Sequence, residues 1–597
     1  MGPGGPGGPL AGPWWALVGP GGHTLPIYTY LYVFCSITQA EPLPAAPAPD
    51  PICEKLAVLL DPDAPKSSFL RDTMAIAHAN LPPPITRTYA SGVRNSAKKC
   101  SGQFDWVLAF SGTDVIIKVF SNLSALYKYN YDVDLKFAVL SSCENEPSKQ
   151  KFIMKEHGGN AQDGVHVLFG DVKDMLAPTA INVFDGKSAP VRKGRAYFGG
   201  FSCVSRSNHN VHAKANLNCI QRKDPEAQTA VTYHAAAEFV FAGNENGEGF
   251  EVCLLANLEK LEQKEEAALQ SDAEYIISDF NSHGWEAMLY RIEATENGSW
   301  PTRFRLFIVG LRGRSAAHRA RLCHISVLLN AMQVGPSDAH HFLLSDIELA
   351  TLRSSTTEPA QKASKTNLNK AAKTDYKAEL MNLYEESEIP WPPRFSDYPF
   401  IDFHTFSDRE SQCVLLCHLM FPPPPQSING SIVVQGFDAN LGISRLLGDK
   451  GTRNPWKSVL PTMVGSSKFV IRIVDATGLL TIRQLTGVEA MRCIGWDICD
   501  WKEDPLRAGH PDSLLRNLAG NAFSAFAVAP LIAAVVAVQG MFDSLVEPEP
   551  DNANKRARRA PPGLETASSS RAPPVKDPSS SSESSMNTCG IDSSDSD

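Results

Sequence analysis

From about residue 104 the chain alternates short apolar runs with helix-like stretches, and this alternation limits the fold more than any other feature of the sequence. Residues 105–110 (DWVLAF) end at Ser111-Gly112-Thr113, and a helical pattern, VIIKVFSNLSALYKY, follows. LKFAVLSS stops at Cys143-Glu144, VHVLFGD stops at Asp171, and AYFGGF leads to Cys203. FEVCLLA (250–256) and FRLFIVG (304–310) complete the series. Apolar runs separated by helices predict a doubly wound α/β sheet with its ligand at the carboxyl ends of the strands.

The chain has 597 residues, enough for two or three domains. The pattern breaks after about residue 313, and no fold is legible over 313–460. Residues 351–376 are polar, as in a linker or loop. Regular segments return with KFVIRIV and the helix-like TGVEAMRCIG. The Gly/Pro-rich stretch 1–55 and the Ser-rich tail 546–597 read as disordered. The apolar run 25–39 lacks a preceding basic region, so secretion is not expected. Residues 522–539 are long enough to consider as a membrane span, but Pro530 and the dense alanines argue for a helix packed inside an α/β domain, and no membrane partner is expected.

A formal net charge of −9 excludes a basic nucleic-acid coat, so any such contact needs a local basic surface. The 13 cysteines form no CxxC pair, which points to a reduced intracellular compartment. Cys413, Cys417 and His418 have metal-like spacing, yet VLLCHLM reads as a buried apolar element, and no metal is assigned. The run Lys555-Arg556-Ala557-Arg558-Arg559 fits nuclear import or phosphate contact, and equally a solvated charge cluster.

Each strand end carries a polar residue suited to one part of a ligand. Phe110, Ser111 and Gly112 form a tight turn before a helix, whose free N–H groups suit an anionic group. Glu144 is placed for a ribose hydroxyl pair and Asp171 for an adenine amino group. Together they describe a cofactor that contains adenosine. Cys203 follows a small-residue loop where a helix is predicted to begin, a position that favours thiolate.

Over about 104–312 and 460–540 the chain resembles the cytosine-5 DNA methyltransferase family. FSGTDV, SCENEPSKQ and LFGDV resemble its first three motifs, and GGFSCVSRS the loop that carries its nucleophile. GSWPTRFRLFIVG resembles the eighth motif, LTIRQLTGVEAMRCIGWD the ninth, and AGNAFSAF, with Asn521 intact, the tenth. The resemblance implies a Rossmann-like methyltransferase core (99–312 and 461–545) interrupted by a smaller target-recognition region (313–460). It implies S-adenosyl-L-methionine as cofactor, with Asn521 among the residues that hold it, and DNA as partner, RNA being the alternative substrate; a nuclear location rests on the basic run 555–559. Cys203 would add to carbon 6 of cytosine, Arg305 would contact the base carbonyl oxygen, and Arg303 would support the site or a phosphate.

The match departs at the family's sixth motif, where Ala256 stands in place of a glutamate that binds the cytosine ring. Loss of a positioned general acid lowers rates by roughly 10²–10⁴. Neither Glu251 nor Glu259 is an obvious replacement. Ser202 replaces the proline before the nucleophile, and Asp497 replaces the proline expected after Gly495-Trp496. Two readings follow: a DNA cytosine-5 methyltransferase, or a catalytically impaired relative that keeps cofactor or nucleic-acid binding.

Overall fold

The structure is a computed structural model. It describes residues 69–542, apart from 111, 158–166, 207–215, 243–248, 267, 356–377, 379, 424–431, 442–445, 449–451, 476 and 497–509. The terminal stretches 1–55 and 546–597, with the basic run 555–559, lie outside the described residues, as does Asp497.

The main sheet holds β1 (Gln103–Ala109), β2 (Lys136–Cys143), β3 (Leu168–Phe169), β6 (Ala196–Gly199), β7 (Val252–Asn257), β8 (Trp285–Glu293) and β9 (Phe304–Arg312). A two-stranded ribbon of β4 (Thr179–Ile181) and β5 (Ser188–Pro190) stands apart. The main strand order is β3-β2-β1-β6-β7-β9-β8. Pairing is parallel from β3 to β7 and antiparallel at β7–β9 and β9–β8. The sheet is therefore a Rossmann-like, doubly wound α/β sheet, as the alternation predicts. Side chains alternate between two cores: Trp106, Leu108, Phe198, Leu254 and Val309 face one layer, and Val107, Ala109, Tyr197, Cys253 and Ile308 face the other.

The helices are α1 (Phe69–Ala79), α2 (Pro83–Lys99), α3 (Val115–Tyr131), α4 (Pro147–His157), α5 (Gln228–Phe241), α6 (Asp272–Ser282), α7 (Ala316–Ala331), α8 (Asp346–Ser355), α9 (Asp408–Met420), α10 (Gly487–Cys493), α11 (Asp512–Asn521) and α12 (Ala525–Gln539). The apolar run singled out in the sequence is α12, buried along its length against α1, α2, α3 and α7. Ser96 Oγ donates to Val536 O at 2.6 Å and Asn95 Nδ2 to Gly540 O at 3.0 Å, locking α2 to its end. Among the described residues no single helix is long and apolar enough to cross a membrane.

A smaller antiparallel sheet contains β10 (Val433–Asp438), β11 (Phe469–Val474) and β12 (Leu480–Gln484), packed with α9. This moves a boundary. The sequence reading places 461–484 in the returning core, but β11 pairs with β10 from Asp438↔Phe469 to Val433↔Val474, so the smaller region extends to Gln484. The core is also wider than 99–312: α1 and α2 precede it, and α7 packs Leu322, Ile325 and Leu328 into it. Cys413 and Cys417 are buried in α9, and burial pushes the Cys417 thiol up, which suits packing rather than ligation.

The Arg-x-Leu-Thr-x-x-Glu motif joins the two parts. Arg483, on β12, meets Glu489 in a buried bidentate pair with N···O distances of 2.6 and 2.8 Å. Thr486 and Glu489 form a reciprocal cap on α10. Leu344 N donates to Glu489 Oε1 at 2.9 Å. Burial would raise the Glu489 carboxyl, but the Arg483 charge and these hydrogen bonds outweigh it and hold the carboxyl below its usual range.

Candidate active site

Strand order reverses between β1 and β6, and in a doubly wound sheet the carboxyl ends of the strands beside such a switch point are where a ligand binds. The turn after β1 is left-handed at Phe110 (φ 56°), Gly112 (φ 72°) and Asp114 (φ 52°). Phe110 N donates to Cys143 O at 2.9 Å and so ties the turn to β2. A Cβ added at Gly112 would stand 3.8 Å from Asn521 O and from Ala522 Cα, so the structure brings Phe110, Gly112 and Asn521 together. Ser111 lies outside the described residues. The Asn521 side chain is exposed and donates to Asn517 Oδ1 at 3.1 Å.

Asp114 is a residue the sequence reading passed over. It is fully buried at the start of α3, and Ser142 Oγ donates to its Oδ1 at 3.0 Å. Burial, opposed by that hydrogen bond and reinforced by the charge of Glu144, pushes its pKa up to about 7. A carboxyl at this helix terminus competes with the anion that the turn alone suggests. Its position directly before the helical run, where N-cap residues sit, was the available signal.

Glu144 is buried at the end of β2; its N–H donates to Phe169 O at 3.1 Å and its Oε1 accepts from Glu146 N at 3.0 Å. Asp171 is exposed after β3, and its Oδ1 accepts from Lys173 N at 2.9 Å. Burial raises the Cys143 thiol well above its usual range, and the charges of Glu144, Asp171, Asp174 and Asp114 raise it further. Four carboxyls thus stand near enough to the ends of β1–β3 to act on Cys143.

The other side of the switch point carries Cys203. Gly200 N donates to Ala109 O at 3.2 Å, so the loop after β6 is joined to β1. Asn257 Nδ2 donates to Phe201 O at 2.9 Å and Ser202 N to Thr232 Oγ1 at 2.9 Å. A proline at 202 could not make the second bond, so a hydrogen bond restrains this loop where the family has a ring. Cys203 is half-buried. Among the described residues a 3-10 turn, Val204–Arg206, follows it, residues 207–215 lie outside them, and α5 starts at Gln228. A Cβ at Gly200 would collide with the Phe523 ring, which also packs edge-on against Phe198 with centroids 5.1 Å apart. Residues 521–523 consequently touch both the β1 turn and the Cys203 loop.

Arg303 and Arg305 begin β9 on the side of the sheet that Ala256 faces. Ala256 pairs with Phe307, and that face carries Phe307 and Val309. Arg303 is 2% exposed; both of its Nη atoms are engaged, while its Nε is buried without a hydrogen-bond partner. Nη1 donates to Met463 O at 3.1 Å and Ala519 O at 3.4 Å, and Nη2 to Gly520 O at 3.1 Å and to Ala522 O. These bonds staple the start of β9 to 519–522. Burial pulls its pKa well down, the Arg305 charge adds to this, and Cys203 opposes it. Arg305 is half-buried and donates from Nη1 to Phe304 O at 2.8 Å. Burial lowers its pKa, opposed by Cys203, Glu293 and Glu259. Cys203, Arg303 and Arg305 therefore share one electrostatic neighbourhood. Ala256, 1% exposed, brings no acid to it. Glu259, the first residue of the 3-10 turn after β7, reaches Arg305 with its charge, which its place in the sequence did not announce.

No family model matches the chain, and no curated protein matches it. Among solved structures it is similar to the S. pombe Dnmt2 methyltransferase at 11% identity and a TM-score of 0.33, over 72% of this chain and 98% of that one. It is similar to the Entamoeba histolytica methyltransferase EhMeth at 11% identity and a TM-score of 0.35, over 74% and 99%. A Spodoptera frugiperda DNMT2 mutant gives 9% identity and a TM-score of 0.34, over 72% and 99%.

Proposed function

We propose that this chain is a cytosine-5 methyltransferase-type protein that uses S-adenosyl-L-methionine and takes a flipped cytosine of DNA at Cys203. The observation that carries this reading is the pairing of two half-sites across the β1/β6 switch point. One half-site is acidic; the other is a braced thiol beside two arginines. The acidic half fits the cofactor: carboxylates suit ribose hydroxyls and an adenine amino group, and their field favours a cationic sulfonium. When bound, that group supplies an electrophilic methyl.

The chain's own residues do the rest. Cys203, as thiolate, adds to carbon 6 of the base and moves electron density to carbon 5, which takes the methyl. Loss of the carbon 5 proton then expels the thiolate and restores the ring. Arg305 donates to the base carbonyl oxygen and stabilises charge that develops there. Arg303 holds the floor under it. Asn257 and Thr232 fix the loop, so the thiol does not wander. No carboxylate stands at 256 to hold the base amino group and ring nitrogen. Addition is accordingly expected to be slow, by about 10²–10⁴ relative to a site that has one.

The test is a covalent trap with DNA containing 5-fluorocytosine, run with the methyl donor, beside calorimetry with the donor alone. The expected result is donor binding that Glu144→Ala weakens, and a slow adduct absent in Cys203→Ser. Donor binding without any adduct favours the impaired relative, and an adduct gained by Ala256→Glu would place the defect there. Absence of donor binding overturns the reading. A trap that forms on RNA and not on DNA would assign the alternative substrate.

A further inference from the structure

Away from the switch point, Asp338, His340 and His341 stand together on a 3-10 turn, Ala339–Phe342, that Asp338 precedes. One ligand atom from each lies within 4.8 Å of the others, and all three residues are exposed. We propose that these residues form a binding site for a divalent transition-metal ion.

Ligand chemistry favours a first-row ion such as Co²⁺, Ni²⁺ or Zn²⁺, since two imidazoles suit these metals and one carboxylate offsets part of the charge. Three protein ligands leave a coordination position open to water. Bonds of about 2.0–2.2 Å place tetrahedral ligands roughly 3.4 Å apart, so closure needs only small rotations of exposed side chains.

The turn is also held in advance, which separates it from a chance surface cluster. The His340 and His341 rings lie 4.0 Å apart, and His341 stacks on Phe69 at 5.0 Å with a 19° interplanar angle. Phe342 is buried edge-on to Phe69 at 5.1 Å and to Phe526 at 6.0 Å. Immediately beyond, Leu343 O accepts from Arg492 Nη1 at 3.1 Å, and Leu344 N donates to the buried Glu489 at 2.9 Å. Both partners belong to the motif that joins the core to the smaller sheet. Little backbone entropy remains to be lost when the ion arrives. His340 and His341 also line a cavity of about 1720 Å³ with Arg353, Phe403 and Arg483, so the ion would sit at its mouth.

The test is titration of the full chain with Co²⁺, followed by calorimetry and visible absorption. We expect one Co²⁺ per chain, displaceable by Zn²⁺, with no sulfur-to-metal charge-transfer band. His340→Ala and Asp338→Asn should each weaken it by at least about tenfold. Because both side chains are exposed, the unfolding midpoint in the absence of metal should not move. Equal isotherms for wild type and His340→Ala, no saturable binding, or a charge-transfer band that assigns the ion to cysteine would each overturn the site.

Discussion

Asp114 concentrates the physical chemistry of the candidate site in one residue. Its carboxyl is buried under the β1 turn, and its pKa rises from 3.8 to about 7. A raised carboxyl favours the protonated fold, so its contribution is fully present below about pH 4 and is lost as pH climbs to about 7. Three pKa units correspond to roughly 4 kcal/mol, an upper figure for a site that can relax. Asp114→Asn should therefore be more stable than wild type at pH 8, with the difference vanishing toward pH 4. Urea unfolding at both pH values measures it, and equal stability at pH 8 would refute the buried-acid account. Other residues divide by what made them legible. Cys203, Glu144 and Gly112 were readable because each follows an apolar run at a strand end. The loop-bracing roles of Asn257 and Thr232 were not, because they are hydrogen bonds to a loop 56 and 30 residues away.

At the scale of elements, the strands with continuous apolar runs were legible, since β1, β2, β6, β7 and β9 are buried in the centre of a sheet. β8 was not: it is an edge strand of mostly half-buried residues and reads as an ordinary mixed segment. Of the smaller sheet β11 was legible, as the apolar run KFVIRIV, whereas β10 and β12 are short strands of mixed residues. The Arg483–Glu489 pair is the joint that the spacing announced and the structure explains. Removing one partner leaves the other charge buried, which typically costs about 3–5 kcal/mol. Glu489→Gln should lose that much in denaturant unfolding, whereas Arg483→Met with Glu489→Leu should recover most of it. The wild-type carboxyl, held below 4.5, contributes stability above that pH and loses it as pH falls through the lowered value. Acid sensitivity below pH 4.5 should thus shrink in the double variant.

Across the whole molecule, the candidate site depends on a return of the chain that its motifs announce but whose contacts no local pattern reveals. The polypeptide leaves the core after α7, builds the smaller sheet, and comes back as α10–α12. Residues 521–523 then close against both the β1 turn and the Cys203 loop. Gly520 is required there, because a Cβ would run into the Val464 backbone. What fastens this return is Arg303, whose guanidinium gathers carbonyls from Met463 and from Ala519 to Ala522. Hydrogen bonds to a charged group contribute about 1.5–3 kcal/mol each, and removing the donor leaves several carbonyls buried without it. Arg303→Leu keeps the apolar stem volume while deleting every one of these bonds. Hydrogen exchange should then show faster exchange over 459–465 and 512–523, with β1–β3 unchanged, because the sheet's own ladder does not involve the staple. Methyl-donor affinity should fall with it, since the wall beside Gly112 loosens although no cofactor-facing side chain has been altered. Arg305→Leu provides the contrast: Arg305 Nη1 donates to Phe304 O and not to 512–523, so exchange over 512–523 should stay as in wild type while the 5-fluorocytosine adduct is lost. If Arg303→Leu left exchange unaltered and removed only the adduct, Arg303 would belong to the chemistry, and the return of the chain would have to be held by packing alone.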